Sequence, residues 1–252
     1  MTRPLPRLAA ALTVAALTLT GCHDGDNPFA PVPTADPVAI PTITAPTVAP
    51  LEPATPPDPD RPLAADVLAT LEVKGRAPKT GYDRAQFGST WADVDGNQCD
   101  QRNDTLKRDL RDETFEPDGC TVLTGTLDDP YTATRIQFQR GRETSGAVQI
   151  DHVVSLGNAW ATGAQQLTAE ERKMIGNDPI NLQATDGPTN ARKADGDAAT
   201  WLPPARGYRC SYISRQIAVK AKFKLWVTAP ERDAMATVLS TCPEQQLPAE
   251  AS

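Results

Sequence analysis

Eleven of the chain's 24 prolines fall between residues 23 and 60, a stretch with six acidic residues and no Lys or Arg. Such a segment cannot bury enough apolar surface to offset its ordering entropy, and proline keeps it extended. It predicts a disordered stalk and confines the folded body to residues 61–252, about 190 residues, enough for one domain with a substantial core. The residues ahead of the stalk form an address. Arg3 and Arg7 give a positive start, residues 8–19 are an apolar run, and Leu19-Thr20-Gly21-Cys22 closes it. A run this short reads as a signal peptide rather than a membrane span, and its close follows the bacterial lipobox. The expected organisation is a signal peptide at 1–21, a lipid-anchored linker at 22–60 and a domain at 61–252. Cleavage would precede Cys22, whose sulfur would carry the lipid. The alternative is an ordinary secretory signal ending near a cysteine. Either way the chain is exported, and with the lipobox it is tethered to the outer face of the cell membrane by lipid alone.

With Cys22 taken by lipid, Cys99, Cys120, Cys210 and Cys242 remain, an even number in an oxidising compartment. Local pairing, Cys99 with Cys120 and Cys210 with Cys242, is expected because each pair flanks one compact segment. A four-cysteine zinc site would want CxxC-like doublets, and these cysteines stand alone.

The formal charge of −7 is unfavourable for a partner of nucleic acid, but its distribution matters more than the sum. Residues 135–232 carry 14 Lys/Arg against nine Asp/Glu, and residues 203–232 hold seven basic residues with Glu231 alone opposing them. The region 206–224, with Lys220, Lys222 and Lys224, is therefore a candidate grip on a polyanionic backbone.

Along the domain, helices are expected at 61–73, 103–112, 168–175, 188–194, 212–227 and 229–240. Thr168 and Glu171 form a capping box for the third of these, and Pro188 sits at a tolerated first-turn position of the fourth. Strands are expected at 120–127, 134–140, 147–156 and 180–185. The stretch Asp93-Val94-Asp95-Gly96-Asn97-Gln98 invites a calcium-loop reading. Its glycine is out of place and no Glu stands at the twelfth position, so it is read as a turn.

One set of residues carries chemistry: Asp151-His152 on the 147–156 strand, Asn181-Leu182, and Asn190-Ala191-Arg192-Lys193 at the helix start. This order resembles the HNH, or ββα-metal, endonucleases in the variant whose first ligand is Asp. It is most similar to the exported actinobacterial branch related to the C-terminal domain of GmrSD-type restriction enzymes. The core resemblance spans residues 147–197. Tyr82, Phe87-Gly88, Trp91, the 95–99 stretch, Arg102, and Trp201-Leu202-Pro203-Pro204 with Cys210 and Tyr212 extend it. The resemblance implies an α+β fold: a ββα-metal core with additional helices, stapled by disulfides, after the disordered stalk.

It also implies roles. Asp151 and Asn190 map to the ligands of one divalent metal, and His152 to the general base. Asn181 braces the loop that holds the histidine. Lys193, with Arg192 and Arg102, contacts the substrate phosphate. Hydrolysis of a phosphodiester needs an activated water and a cation for the charge on phosphate and leaving oxygen. A carboxylate and an amide oxygen suit a hard ion such as Mg²⁺, with Mn²⁺ or another divalent ion as alternatives. A neutral imidazole with a pKa near 6.5 can accept the proton of water. Because alternate residues of a strand face opposite ways, the resemblance implies an irregular strand end that brings Asp151 and His152 together. Ser155 stands where the family often has proline, which predicts a looser strand exit.

The expected function is thus an exported metal-dependent endonuclease acting on DNA, with RNA as a further candidate. The alternatives are a catalytically silent surface lipoprotein that holds polyanions on residues 203–232, or a solute-binding lipoprotein, for which the chain is short. Read as unconnected features, His152 would be a core histidine, Asn181 a turn residue and Asn190 a helix cap. Nothing in the sequence calls for a protein partner.

Overall fold

A computed structural model of the chain describes residues 58–249. Cys22, the signal segment and the stalk up to residue 57 lie outside the described residues. Residues 58–60, expected in the stalk, are held instead by the C-terminal segment: the Asp58 amide donates to Gln246 Oε1 at 3.0 Å. Among the described residues no helix is long and apolar enough to cross a membrane.

The fold is mixed α and β with two small sheets. Helix α1 (Ala64–Thr70) is followed by a short 3-10 turn at Arg84–Phe87, then α2 (Gln101–Asp109). Asp100 caps α2 by accepting from the Asn103 amide, and Lys107 and Arg108 occupy its last turn, where cations complement the helix dipole. Strands β1 (Leu110–Phe115), β2 (Val122–Asp128) and β3 (Arg135–Gln139) form an antiparallel sheet in that order. Strand β4 (Val148–His152) pairs antiparallel with β5 (Leu182–Asp186), in a register that runs from Val148 opposite Asp186 to His152 opposite Leu182. Between these two strands lie α3 (Leu156–Ala161) and α4 (Ala169–Asn177). Helix α5 (Gly187–Lys193) follows β5 directly, and α6 (Arg209–Lys222) and α7 (Ala229–Leu239) close the chain. Disulfides join Cys99 to Cys120 and Cys210 to Cys242, the local pairing expected, with Cα atoms 5.3 and 6.5 Å apart.

Three apolar clusters meet at the segment that follows β4. Val148 and Ile150 pack with Leu106, Leu127, Phe138 and Leu182. Val153 joins α1, α6 and α7 through Leu68, Ile213 and Met235. Val154 turns the other way, to Phe87, Trp160 and Ile175. His152 lies between these anchors, so its backbone is fixed from three sides.

Several expectations change. The helix expected at 103–112 ends at Asp109, and β1 takes up the rest. The strand expected at 147–156 stops at His152. Ser155 then caps α3 by accepting from the Asn158 amide at 3.1 Å, so the strand exit is closed by a helix start rather than loosened. The capping box expected at Thr168–Glu171 opens α4, and a second one, Thr228–Glu231, opens α7.

Candidate active site

Helix α5 sits across the face of β4 because two periodicities match. Asn190 and Lys193 are three apart on one side of the helix; Gln149 and Asp151 are two apart on one face of the strand. Asn190 Nδ2 donates to Gln149 Oε1 at 2.9 Å, and Lys193 Nζ donates to Asp151 Oδ1 at 2.9 Å. Close approach is possible because residue 187 is glycine: a Cβ there would lie 2.1 Å from the Gly146 carbonyl oxygen. Asp186 caps the helix by accepting from the Thr189 amide at 2.8 Å.

The irregular strand end expected for Asp151 and His152 is not what brings them together. The ladder with β5 stays regular through His152. With β5 along one side only, the other side of β4 opens on a cavity of about 400 Å³, where residues of both faces reach the rim. Asp151, His152 and Asn190 line it, together with Arg84, Trp91 and Arg102. A larger groove of about 960 Å³ runs beside Tyr208, Arg215 and Cys242, and none of the motif residues line it.

His152 is buried and its Nε2 lies 2.9 Å from the Gly176 carbonyl oxygen. A carbonyl only accepts, so Nε2 carries the proton and Nδ1 of the neutral ring is bare. Burial lowers its pKa from 6.5 to about 4; Arg84 and Lys193 push the same way, while the Gly176 bond and Asp151 oppose them. The expected value near 6.5 is thus corrected: the ring is neutral throughout the physiological range and a weaker base. The Trp91 ring lies parallel to the imidazole, centroids 6.0 Å apart.

Asn181 is fully buried. Its Oδ1 accepts from the Val154 amide at 2.8 Å, its Nδ2 donates to the Ile175 carbonyl at 2.9 Å, and its own carbonyl accepts from Val153. It ties the exit of β4 to the end of α4, one residue before the carbonyl that holds His152.

Asp151 is also buried, its Oδ2 accepting from the Tyr131 hydroxyl at 2.6 Å. Tyr131 comes from the β2–β3 connection and is packed against Trp201, Tyr208 and Tyr212. No local sequence signal marks it as a neighbour of Asp151. Gln149 was findable, two residues before Asp151 on the same strand face. Arg84 lies between Tyr82 and Phe87, which extend the resemblance, but carries no mark of its own.

Lys193 is a correction. Expected at the substrate phosphate, its side chain is 0% exposed, spent on Asp151 and on the His152 carbonyl at 2.8 Å. Arg192 is exposed, donates to Thr189 Oγ1 at 2.7 Å and does not line the cavity. Arg102 does line it, as does Arg84, and among the described residues neither guanidinium has a hydrogen-bond or ion-pair partner. Burial and the neighbouring Arg140 lower the Arg102 pKa, and Asp100 opposes them in part.

Among the described residues no cluster of three or more His, Cys, Asp or Glu is arranged to hold a metal. The available donors are oxygens: the Asp151 carboxylate, whose two atoms each have a lone pair beyond those used by Lys193 and Tyr131, and Asn190 Oδ1, left without a partner when Nδ2 is turned to Gln149. Two such oxygens fit a hard divalent ion that keeps several waters.

The basic run is another correction. Lys220 is fully buried and paired with Glu231 at 3.0 Å. Lys222 pairs with Asp178 at 2.7 Å, Arg209 donates to the Pro203 carbonyl, and Arg215 to the carbonyls of Ile180 and Leu182. Of the run from 206 to 224, Lys220 is internal and Arg209 and Arg215 are engaged with backbone carbonyls, which leaves Arg206, Lys222 and Lys224 exposed.

The family described as GmrSD restriction endonucleases, C-terminal domain, matches residues 100–238. An uncharacterized secreted protein of Arthroderma benhamiae is 34% identical over 192 residues, covering 75% of this chain and 89% of that protein. No solved structure matches.

Proposed function

Because the chain belongs to the family of GmrSD restriction endonuclease C-terminal domains, we propose that it is an exported, metal-dependent endonuclease hydrolysing phosphodiester bonds of DNA, with RNA a second substrate. The observation that carries this reading is His152. It is buried, neutral, oriented through Nε2 with Nδ1 bare, and shares a cavity with Asp151, Asn190 and two guanidiniums that have no partner among the described residues. Strands β4 and β5 with helix α5 are, on this reading, the ββα-metal core. The secreted relative and the signal-like N-terminus support export, with the lipid on Cys22.

In the mechanism, Arg84 and Arg102 bind the phosphate and neutralise charge as the bond breaks. His152 Nδ1 takes the proton of the attacking water. Asn181 fixes the exit of β4 and with it the ring's position, and Trp91 covers one face of the imidazole. Asp151 and Asn190 would hold the divalent ion, which when bound supplies Lewis-acid stabilisation of the phosphate and leaving oxygen. The test is nicking of supercoiled plasmid by the exported chain with Mg²⁺ or Mn²⁺. Cleavage that EDTA abolishes and added metal restores is expected. Absence of cleavage of both DNA and RNA under every divalent ion would overturn the assignment.

A further inference from the structure

The carboxylate proposed to hold the metal already holds a cation. Lys193 Nζ lies 2.9 Å from Asp151 Oδ1 and 2.8 Å from the His152 carbonyl, with the Lys193 and Asp151 side chains 0% and 6% exposed. In so dry a site an ammonium and a divalent ion on one carboxylate repel strongly. The Asp151 oxygens are not free to separate the two charges, because Tyr131 holds Oδ2 at 2.6 Å from within a packed aromatic cluster. Lys193 is the mobile partner. Its ammonium sits on a flexible four-carbon stem, and the next residue, Ala194, lines the cavity together with Asn190.

We infer that Lys193 is the resident counter-ion of Asp151 and that a divalent ion displaces it, so that metal loading and release of the ammonium into the cavity are one event. The inference rests on the metal-site reading above. It accounts for the burial of both partners: Lys193 Nζ compensates the Asp151 carboxylate, which would be strongly destabilising if left unpaired in so buried a site. Release would deliver the ammonium to the cavity only once the ion is in place, and would free the His152 carbonyl.

The experiment measures Mn²⁺ and Mg²⁺ binding by calorimetry to the wild-type exported chain, Lys193→Gln, Lys193→Arg and Asp151→Asn. Removing the competing charge should tighten binding by about tenfold or more in Lys193→Gln, while Lys193→Arg stays near wild type. In parallel, acetylation of lysines in wild type is mapped by mass spectrometry with and without Mn²⁺. Lys193 labelling should rise severalfold on metal addition, whereas Lys220, equally buried on Glu231, stays unlabelled and so excludes global opening. This second arm decides the matter even if Lys193→Gln fails to fold. Unchanged affinity in Lys193→Gln, or unchanged Lys193 labelling at saturating metal, overturns the displacement while Asp151→Asn still tests the site. If wild type binds neither ion, the metal-site reading itself fails, and this inference with it.

Discussion

His152 Nε2 and the Gly176 carbonyl oxygen are 2.9 Å apart, joining the end of β4 to the end of α4 across 24 positions of chain. That bond sets the tautomer and leaves Nδ1 as the basic atom. Burial of the ring at this position lowers its pKa to about 4, against the opposing effect of the Gly176 bond itself.

Replacing His152 by Ala should therefore lower turnover by about 10²–10⁴-fold, the usual contribution of a general base. Activity within about tenfold of wild type would remove His152 from that role. In wild type the acid limb of kcat/KM should fall near pH 4 rather than 6.5. Stability follows with a definite sign: between pH 6.5 and 4 the unfolded chain binds a proton that the folded one does not, so folding weakens as pH drops through that window. The full loss is about 3 kcal/mol, at about 1.4 kcal/mol per pH unit, and none of it appears above about pH 6.5. Urea titrations at about pH 7, 6 and 5 on wild type and His152→Ala should show the slope in the first and its reduction in the second.

Asn181 and Asn190 look alike in sequence and should behave differently. Asn181 is fully buried and holds Val153, Val154 and Ile175. Asn181→Ala keeps the Val153 bond to its backbone carbonyl but strands the Val154 amide and the Ile175 carbonyl, and should cost about 2–4 kcal/mol of stability from these buried side-chain bonds. Asn190 has one side-chain bond, to Gln149, at the cavity wall. Asn190→Ala should keep its melting temperature within a few degrees and lose metal affinity and turnover. Melting curves beside Mn²⁺ titrations distinguish the two; similar losses of stability would place Asn190 in the scaffold.

What was legible in the chain was local. Thr168 with Glu171, and the pairing of each cysteine with its neighbour in sequence, depend on short spacings that survive in any context. The order of Asp151, His152, Asn181 and Asn190 was read through its resemblance to a family motif, which spacing alone would not have supplied. What failed was set by distant packing. Lys220 has the charge of a surface residue, and only Glu231 from α7 takes it inside. Strand β1 carries Arg111, Asp112 and Glu113 in its middle, which hides its alternation, and six-residue α3 is too short to show helical periodicity. Tyr131 reaches Asp151 only because the β2–β3 connection folds back onto β4.

Reduction should loosen the domain at two independent places. The disulfides close loops with sequence separations of 21 and 32, one beside α2 and β2 and the other between α6 and the C-terminal segment. Each contributes about 3–4 kcal/mol in the chain-entropy model. Chemical denaturation of Cys99→Ser/Cys120→Ser and Cys210→Ser/Cys242→Ser double variants should show comparable losses. A loss below about 1 kcal/mol for either pair would mean its loop is already ordered without the bond.

The guanidiniums at the cavity separate substrate binding from general surface charge. Arg84 and Arg102 come from different elements, the 3-10 turn and α2, and both face the cavity without protein partners among the described residues. Lys222 is paired with Asp178, and Lys224 lies just beyond the end of α6. Removing one cation that neutralises a phosphate should reduce the slope of log affinity against log salt by about 0.7–0.9, whatever the nucleic-acid sequence. Arg84→Gln and Arg102→Gln should therefore flatten the slope one step each and weaken binding. Lys222→Gln/Lys224→Gln should leave the slope as it is. Turnover at saturation distinguishes the two arginines further. An arginine that grips the scissile phosphate stabilises charge that grows in the transition state, so its loss lowers kcat as well as raising KM. One that holds a neighbouring phosphate raises KM alone. Arg84 lines both the main cavity and the smaller pocket beside His152 and Gly176, whereas Arg102 lines only the first of these. Arg84→Gln is thus expected to lower kcat and Arg102→Gln to act mainly on KM. The reverse pattern would place the reacting phosphate on the α2 side of the cavity, away from the imidazole, and would be incompatible with His152 as its base.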